Sequence, residues 1–301
     1  MRFCRFNKGR LGLVEGATVK DVTAALDVLP SHRYPLPTHD VFIANLDAVV
    51  SRVRSIAPGA MAVPLDRVRL LSPVANPGKI IAAPVNYEKH LDEVRTDGQL
   101  NANNPGHTLT IHKAGLFLKA TSSLVGPGDG VAIRKPDRRT DHEVELVVVI
   151  GRTADRVSSD EAMAYVAGYA IGLDISIRGS EDRSFRKSAD TYSVVGPWLV
   201  TADEIPHPGA LDLQLAVNGT VRQQSNTRHM TLSVAQLIEL ASSIYMLLPG
   251  DMIFTGTPEG VSPIEAGDRI TATIEQIGSM EVVTRAADPV AAAAMTAPAR
   301  A

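Results

Sequence analysis

Two glutamates interrupt an otherwise apolar run, Asp141-His142-Glu143-Val144-Glu145-Leu146-Val147-Val148-Val149-Ile150. Side chains alternate between the faces of a strand. Glu143, Glu145, Val147 and Val149 would therefore share one face, with Val144, Leu146, Val148 and Ile150 on the other. Neighbouring carboxylates repel, and burying them unpaired is costly or forces protonation. A bound cation resolves that conflict, whereas a half-exposed strand end with two solvated acids avoids it. Asp174 lies in a second apolar, strand-like run, Ala170-Ile171-Gly172-Leu173-Asp174-Ile175-Ser176, where its plainer role would be to cap a turn. If the two strands lie side by side, Glu143, Glu145 and Asp174 converge as three oxygen ligands. Such a set suits a hard cation, Mg²⁺ or Mn²⁺ rather than zinc, and leaves positions open for water or a bidentate substrate.

A second group is Asn86-Tyr87-Glu88-Lys89-His90-Leu91-Asp92-Glu93. His90 and Glu93 are spaced i,i+3 and share a helix face. A carboxylate that orients an imidazole makes a general base, although most His-x-x-Glu pairs are ordinary surface pairs. Lys187 could offset negative charge on a substrate carboxylate or enolate, or stand as a plain surface lysine. The run Leu248–Gly260 is a glycine-rich turn with hydroxyls at its tip and lacks the spacing of a phosphate loop.

The elements that must position these residues are mostly short. Arg10–Val14, Lys79–Pro84, Leu116–Lys119, Tyr169–Ile177, Leu213–Val217 and Arg269–Ile274 read as strands. Thr18–Leu29, His39–Ile56, Asn86–Val94 and Thr231–Tyr245 read as helices, and Ser158 with Glu161 is spaced as a capping box. Linker chemistry at Leu71–Gly78 places a boundary there. Residues 1–75 are expected to form a small N-terminal α+β domain and residues 76–286 the catalytic domain, with an Ala/Pro-rich, disordered tail over 287–301. The class is α+β, mainly β. At 301 residues, 45% hydrophobic and 21% charged, the composition is that of an ordinary globular protein. A net charge of -3 without a basic stripe argues against nucleic acid as a partner. The single cysteine, Cys4, excludes an intrachain disulfide and a cysteine zinc site. No apolar run has the length of a membrane span, no signal peptide is evident, and a cytoplasmic location is expected.

The order of these motifs resembles the fumarylacetoacetate hydrolase family over about residues 78–285. The resemblance is carried by Asn86-Tyr87…His90…Glu93, Leu116–Lys119, Asp141…Glu143-Val144-Glu145-Leu146, Leu173–Arg178, Lys187…Asp190, Gly196-Pro197-Trp198, Val217-Asn218-Gly219…Arg222-Gln223, Thr227…Met230 and Pro249-Gly250-Asp251…Thr255–Pro258. It implies a β-sandwich roll with short peripheral helices, a homodimer, and one Mg²⁺ or Mn²⁺ per subunit held by Glu143, Glu145 and Asp174. It further implies that His90 and Glu93 form a water-activating dyad on a lid, that Lys187 lies near metal and substrate, and that Thr257, Arg178, Gln223 and Lys119 are substrate contacts. Three departures bear on pocket shape. Gly179 follows Arg178 where an aspartate is common, Ala189 replaces a phenylalanine, and the stretch Arg95–Gly115 is longer and more polar than usual.

The expected activity is hydrolysis of a C–C bond in an acylpyruvate-like β-diketo acid, such as fumarylpyruvate, in aromatic catabolism. The metal would act as a Lewis acid toward a 2-oxo acid substrate. Decarboxylation of a 2-oxo acid such as oxaloacetate, or tautomerisation or isomerisation, uses the same chelate without an attacking water. A non-catalytic metal-binding protein on this fold would be expected to lack a ligand or the lysine, and neither is missing.

Overall fold

The computed structural model describes residues 1–287. Its centre is the strand Val144–Ile150, buried along its whole length. Such a run of β-branched and leucine residues suits a strand covered on both faces. It pairs antiparallel with Val166–Asp174 on one side, Val144 opposite Leu173 and Val147 opposite Ala170. On the other side it pairs with Met252–Phe254, Val148 opposite Ile253.

These strands lie in the middle of a twelve-stranded mixed sheet. A five-stranded sheet, which includes Asp212–Val217, Thr220–Asn226, Arg269–Ile274 and Gly278–Ala286, supplies a second layer. The main core unites Val144, Leu146, Val148 and Ile150 with Leu213, Leu215, Ile270 and Ile274, and with Leu237 and Ile238 of the helix Val234–Ile244. The opposite face of the central strand, Val147 and Val149, packs with Ile80, Ala82, Ala170, Leu199 and Phe254. The period-two reading of this strand therefore holds, and both of its faces are interior.

The N-terminal segment is hydrogen-bonded into the same large sheet. Arg2–Phe6 pairs antiparallel with Ser193–Thr201, Arg2 opposite Val200. The segment also has its own apolar cluster, in which Phe3, Leu11, Leu13, Val49 and Val53 are buried. The expected boundary near residue 75 is thus not a break in the backbone pairing. Of the expected tail, residues 288–301 lie outside the described residues.

Three local readings need correction. Thr18–Leu29 is not a helix: Thr18–Asp21 is a strand, in register with Val14 and Val63 through Val19, and Thr23–Val28 is a 3₁₀ helix. The β-branched Thr18 and Val19 suit that pairing. The span His39–Ile56 is two helices, Val41–Ala44 and Leu46–Ile56, the first capped by the Asp40 carboxylate, which accepts from Ile43 N at 3.0 Å. Ser158 does precede a helix, but its hydroxyl meets the Glu161 carboxylate at 3.2 Å rather than a backbone N–H, so no capping box forms there. The capping box occurs at Ser233 and Gln236.

Candidate active site

Antiparallel pairing sets the geometry of the acids. Glu145 lies opposite Gly172, and Asp174, two residues on, points to the same face. The Asp174 backbone N–H donates to Glu143 O at 2.9 Å. One oxygen from each of Glu143, Glu145 and Asp174 lies within 4.8 Å of the others, and all three residues are buried. Gly172, opposite Glu145, lets Val147 and Phe254 pack closely against its strand: a Cβ there would sit 2.5 Å from Val147 and 2.7 Å from Phe254.

Cations answer two of the three acids. Lys187 Nζ donates to Glu143 Oε2 at 2.6 Å, to Asp174 Oδ2 at 2.7 Å and to the Ser176 hydroxyl. Lys119 Nζ pairs with Asp174 Oδ1 and donates to Tyr192 O at 2.8 Å. Arg178 donates to Glu143 Oε1 at 2.7 Å and to Asp141 Oδ2 at 2.7 Å, and Arg139 donates to the other Asp141 oxygen at 2.8 Å. Burial pushes the Glu143 carboxyl up, but Lys187 and Arg178 overcome this and hold it below its ordinary range. Glu145 differs. Its carboxylate accepts from Gly256 N at 2.6 Å, and burial, then the charges of Asp174 and Glu143, push its pKa well up. It stands in no ion pair among the described residues.

This donor set fits a hard divalent cation. It is all oxygen, buried and rich in negative charge, and the acid without an ion pair among the described residues is the one that such an ion would relieve. Among the described residues the hydroxyl of Tyr87 also has no hydrogen-bond partner, although the residue is only 2% exposed. After burial, the charge of Glu145 is the largest influence on that hydroxyl, raising its pKa.

His90 and Glu93 sit on the helix Glu88–Thr96. His90 Nδ1 lies 2.9 Å from Glu93 Oε2, and Gly260 N donates to Glu93 Oε1 at 3.0 Å. A carboxylate only accepts, so Nδ1 carries a proton, and in the neutral ring Nε2 keeps a lone pair. His90 is buried and lies within electrostatic reach of Glu143. The helix rests on a small cluster of its own, Val85, Leu91, Val94, Leu100 and Val261, separate from the main core. An open groove of about 680 Å³ runs past Tyr87, Leu91 and Met230, and none of the three acids lines it.

The remaining expected contacts form a scaffold around the acids. Both amide hydrogens of Gln223 are taken up, one by Thr257 Oγ1 and one by Pro258 O, each at 2.8 Å. Its oxygen accepts from Val144 N at 3.0 Å and faces His142 Nδ1 at 3.1 Å. The Thr257 hydroxyl donates to Val144 O at 2.9 Å. Gln223 and Thr257 thus brace the strand that carries Glu143 and Glu145. Ser176, Asp141 and the N–H groups of Gly256 and Gly260 were not singled out by sequence reasoning. Period two from Asp174 would have found Ser176, and period two back from Glu143 would have found Asp141. No side-chain pattern reveals a backbone N–H.

A buried trio of acids on paired strands, two lysines upon it and a histidine–glutamate dyad beside it, set in this roll of β-sheets, define a class. Residues 79–284 match the fumarylacetoacetate (FAA) hydrolase C-terminal family model, and the chain belongs to that family. The chain is 55% identical over 285 residues to maleylpyruvate hydrolase of Aquipseudomonas alcaligenes, covering 95% of this chain and 99% of that one. It is 43% identical over 220 residues to 2,4-didehydro-3-deoxy-L-rhamnonate hydrolase of Sphingomonas sp. strain SKA58, covering 69% and 73%. The crystal structure of maleylpyruvate hydrolase from Sphingobium sp. SYK-6 in complex with manganese(II) and pyruvate superposes with a TM-score of 0.81 at 38% identity, covering 96% and 100%.

Proposed function

We propose that this protein is a divalent-metal-dependent hydrolase that cleaves the C–C bond of an acylpyruvate of the maleylpyruvate or fumarylpyruvate type, in aromatic catabolism. The observation that carries this reading is the oriented His90–Glu93 dyad beside the acid trio, in a chain that aligns over nearly its whole length with a maleylpyruvate hydrolase. Glu143, Glu145 and Asp174 hold Mg²⁺ or Mn²⁺, one per subunit, which supplies a Lewis acid for the 2-oxo acid end of the substrate. His90 Nε2 takes a proton from water, whose oxygen bonds to the acyl carbonyl carbon. The bond from that carbon to the methylene breaks, and its electron pair leaves with the pyruvate enolate, which takes up a proton to become pyruvate. Lys187 and Lys119 offset the negative charge that develops there. Glu93 holds the Nδ1 proton and so fixes which nitrogen faces the water.

Cleavage of maleylpyruvate and acetylpyruvate, and decarboxylation of oxaloacetate, measured side by side with Mn²⁺ and with Mg²⁺, test the reading. The acylpyruvates are expected to be the better substrates. His90→Ala should lower their cleavage by about 10²-fold or more, the scale of a positioned base, while oxaloacetate decarboxylation falls less because it needs no attacking water. Faster turnover of oxaloacetate than of either acylpyruvate would overturn the reading. A homodimer in the cytoplasm belongs to the same proposal. The dimer rests on membership of the family, and the buried free thiol of Cys4 suits a reducing compartment. A monomer mass in light scattering at micromolar concentration would refute the dimer.

A further inference from the structure

Charge around the acid trio is uneven, and the excess is local. Asp141, Glu143 and Asp174 are answered by Arg139, Arg178, Lys187 and Lys119. Two further guanidiniums, Arg183 and Arg186, stand on the same short helix as Lys187, Arg183–Lys187. Neither is in an ion pair among the described residues. Arg186 is buried and bonded to the scaffold: it donates to Glu181 O and Ile177 O, each at 2.9 Å, and approaches His107 Nε2 at 3.5 Å. Arg183 is half-buried, and the one side-chain hydrogen bond it makes among the described residues, to Gly106 O, is long at 3.3 Å. Most of its five donors are therefore unspent. Burial weakens its hold on its proton, and the charges of Asp182 and Glu143 act the other way, so it lies within electrostatic reach of a proposed metal ligand.

The wall facing Arg183 comes from the long polar stretch after the dyad. Gly106 and His107 belong to the turn Pro105–Thr108, and Asn104 Nδ2 donates to Ser180 O at 3.3 Å, tying that stretch to the Arg178–Lys187 segment. His107 Nδ1 meets Asn101 O at 3.0 Å, so its Nε2 is an acceptor turned to Arg186 and adds no negative charge. A half-buried guanidinium with free donors, beside a second one held in place and ion-paired to no carboxylate among the described residues, favours an incoming anion.

We propose that Arg183, with Arg186 fixed behind it, binds the second carboxylate of a dicarboxylic acylpyruvate, the one at the acyl end remote from the 2-oxo acid. This inference rests on the acylpyruvate reading given above. A maleyl or fumaryl group carries such a carboxylate and an acetyl group does not. A site built to bond a substrate group rejects the analogue that lacks it, because its own donors are then left unpaired. The long polar stretch is on this view part of the pocket that selects dicarboxylic substrates.

The test compares wild type with Arg183→Ala and Arg183→Lys, all loaded with Mn²⁺. The expected result is a fall of about 10- to 100-fold in kcat/KM for maleylpyruvate in Arg183→Ala, the size of one charge-assisted hydrogen bond. Acetylpyruvate should change by less than about 3-fold on the same scale, and Arg183→Lys should recover part of the loss. Equal losses for both substrates, or no loss for either, would overturn the proposal. Calorimetric titration with maleate and with pyruvate separates this idea from the reaction itself. Maleate should bind Arg183→Ala at least about 10-fold more weakly than wild type while pyruvate binds both alike. If no acylpyruvate is cleaved but the maleate difference appears, the anion subsite stands and the reaction reading falls. If neither cleavage nor a maleate difference is seen, both fall.

Discussion

Glu145 carries the metal assignment at the level of single residues, because it is the acid of the trio that stands in no ion pair among the described residues. Glu145→Gln keeps the shape and removes the charge. Its affinity for Mn²⁺ in calorimetry should fall at least about 10-fold, since affinity follows the charge and number of oxygen ligands. In chelator, the same variant should melt at a higher temperature than wild type, because the repulsion from Asp174 and Glu143 is gone. Unchanged affinity would remove Glu145 from the ligand set. His142 offers a pH test. Burial holds its imidazole at a pKa of about 4, with Gln223, Asp141 and Glu143 opposing. The unfolded chain therefore binds a proton at higher pH than the folded one, so stability is full above about pH 6.5 and is lost as the pH falls toward 4. The contribution to the slope is at most about 1.4 kcal/mol per pH unit. Chemical denaturation of wild type and His142→Asn between pH 7 and pH 4.5 should give a shallower pH dependence in the variant, and equal slopes would contradict this account.

At the level of elements, two turns hold the chemistry in place through backbone N–H groups. Gly256 has φ +93°, and a Cβ there would meet the Asn86 Cβ at 2.7 Å. Its N–H serves Glu145, and Asn86 in turn ties the turn at Thr255 and the Leu232 backbone to the start of the dyad helix. Gly256→Ala should destabilise the protein by about 1–3 kcal/mol, the cost of forcing a side chain into this backbone region. A shifted denaturant midpoint measures it. How much of this was legible follows from which interactions leave a pattern. The run Val144–Ile150 declares its two faces by alternation, and the apolar stripe of Thr231–Tyr245 declares a helix. Thr18–Leu29 misled because its alanines and leucines have helical spacing, while pairing with Arg10–Glu15 and Ala62–Pro64 decides the outcome. The acids were legible because buried charge is conspicuous among valines. Gln223 gave no such sign of being a brace: a lone glutamine looks the same whether it binds a ligand or four groups of its own protein.

At the scale of the whole molecule, the large sheet runs without interruption from the N-terminal strands to the strands of the acid trio. The strand Ser193–Thr201 has Val166–Asp174 on one side and Arg2–Phe6 on the other. Removing residues 1–75 would leave the Leu199–Val200 end of that second edge unpaired, beyond the part covered by Leu124–Val125, together with the face that buries Phe3. Open apolar edges aggregate. The truncated chain should therefore be recovered mainly as insoluble protein, while the full chain melts in a single transition. A soluble, active truncation would show that the sheet is divisible at that edge.

The same pairing has a consequence in time. The α-amino group of Met1 bonds to the Thr201 hydroxyl, across a separation of 200 residues. A ribosome adds about 5–20 residues per second, so the first strand waits about 10–40 s after it emerges before its partner has been made. During that interval the hairpin of Arg2–Phe6 and Arg10–Glu15 can close on itself and Leu70–Leu71 can cover its Arg5–Phe6 end, but the rim at Arg2 and Phe3 faces the cell unprotected. The beginning of this chain is thus among the last parts to find its place, and crowding or slow translation acts on it first.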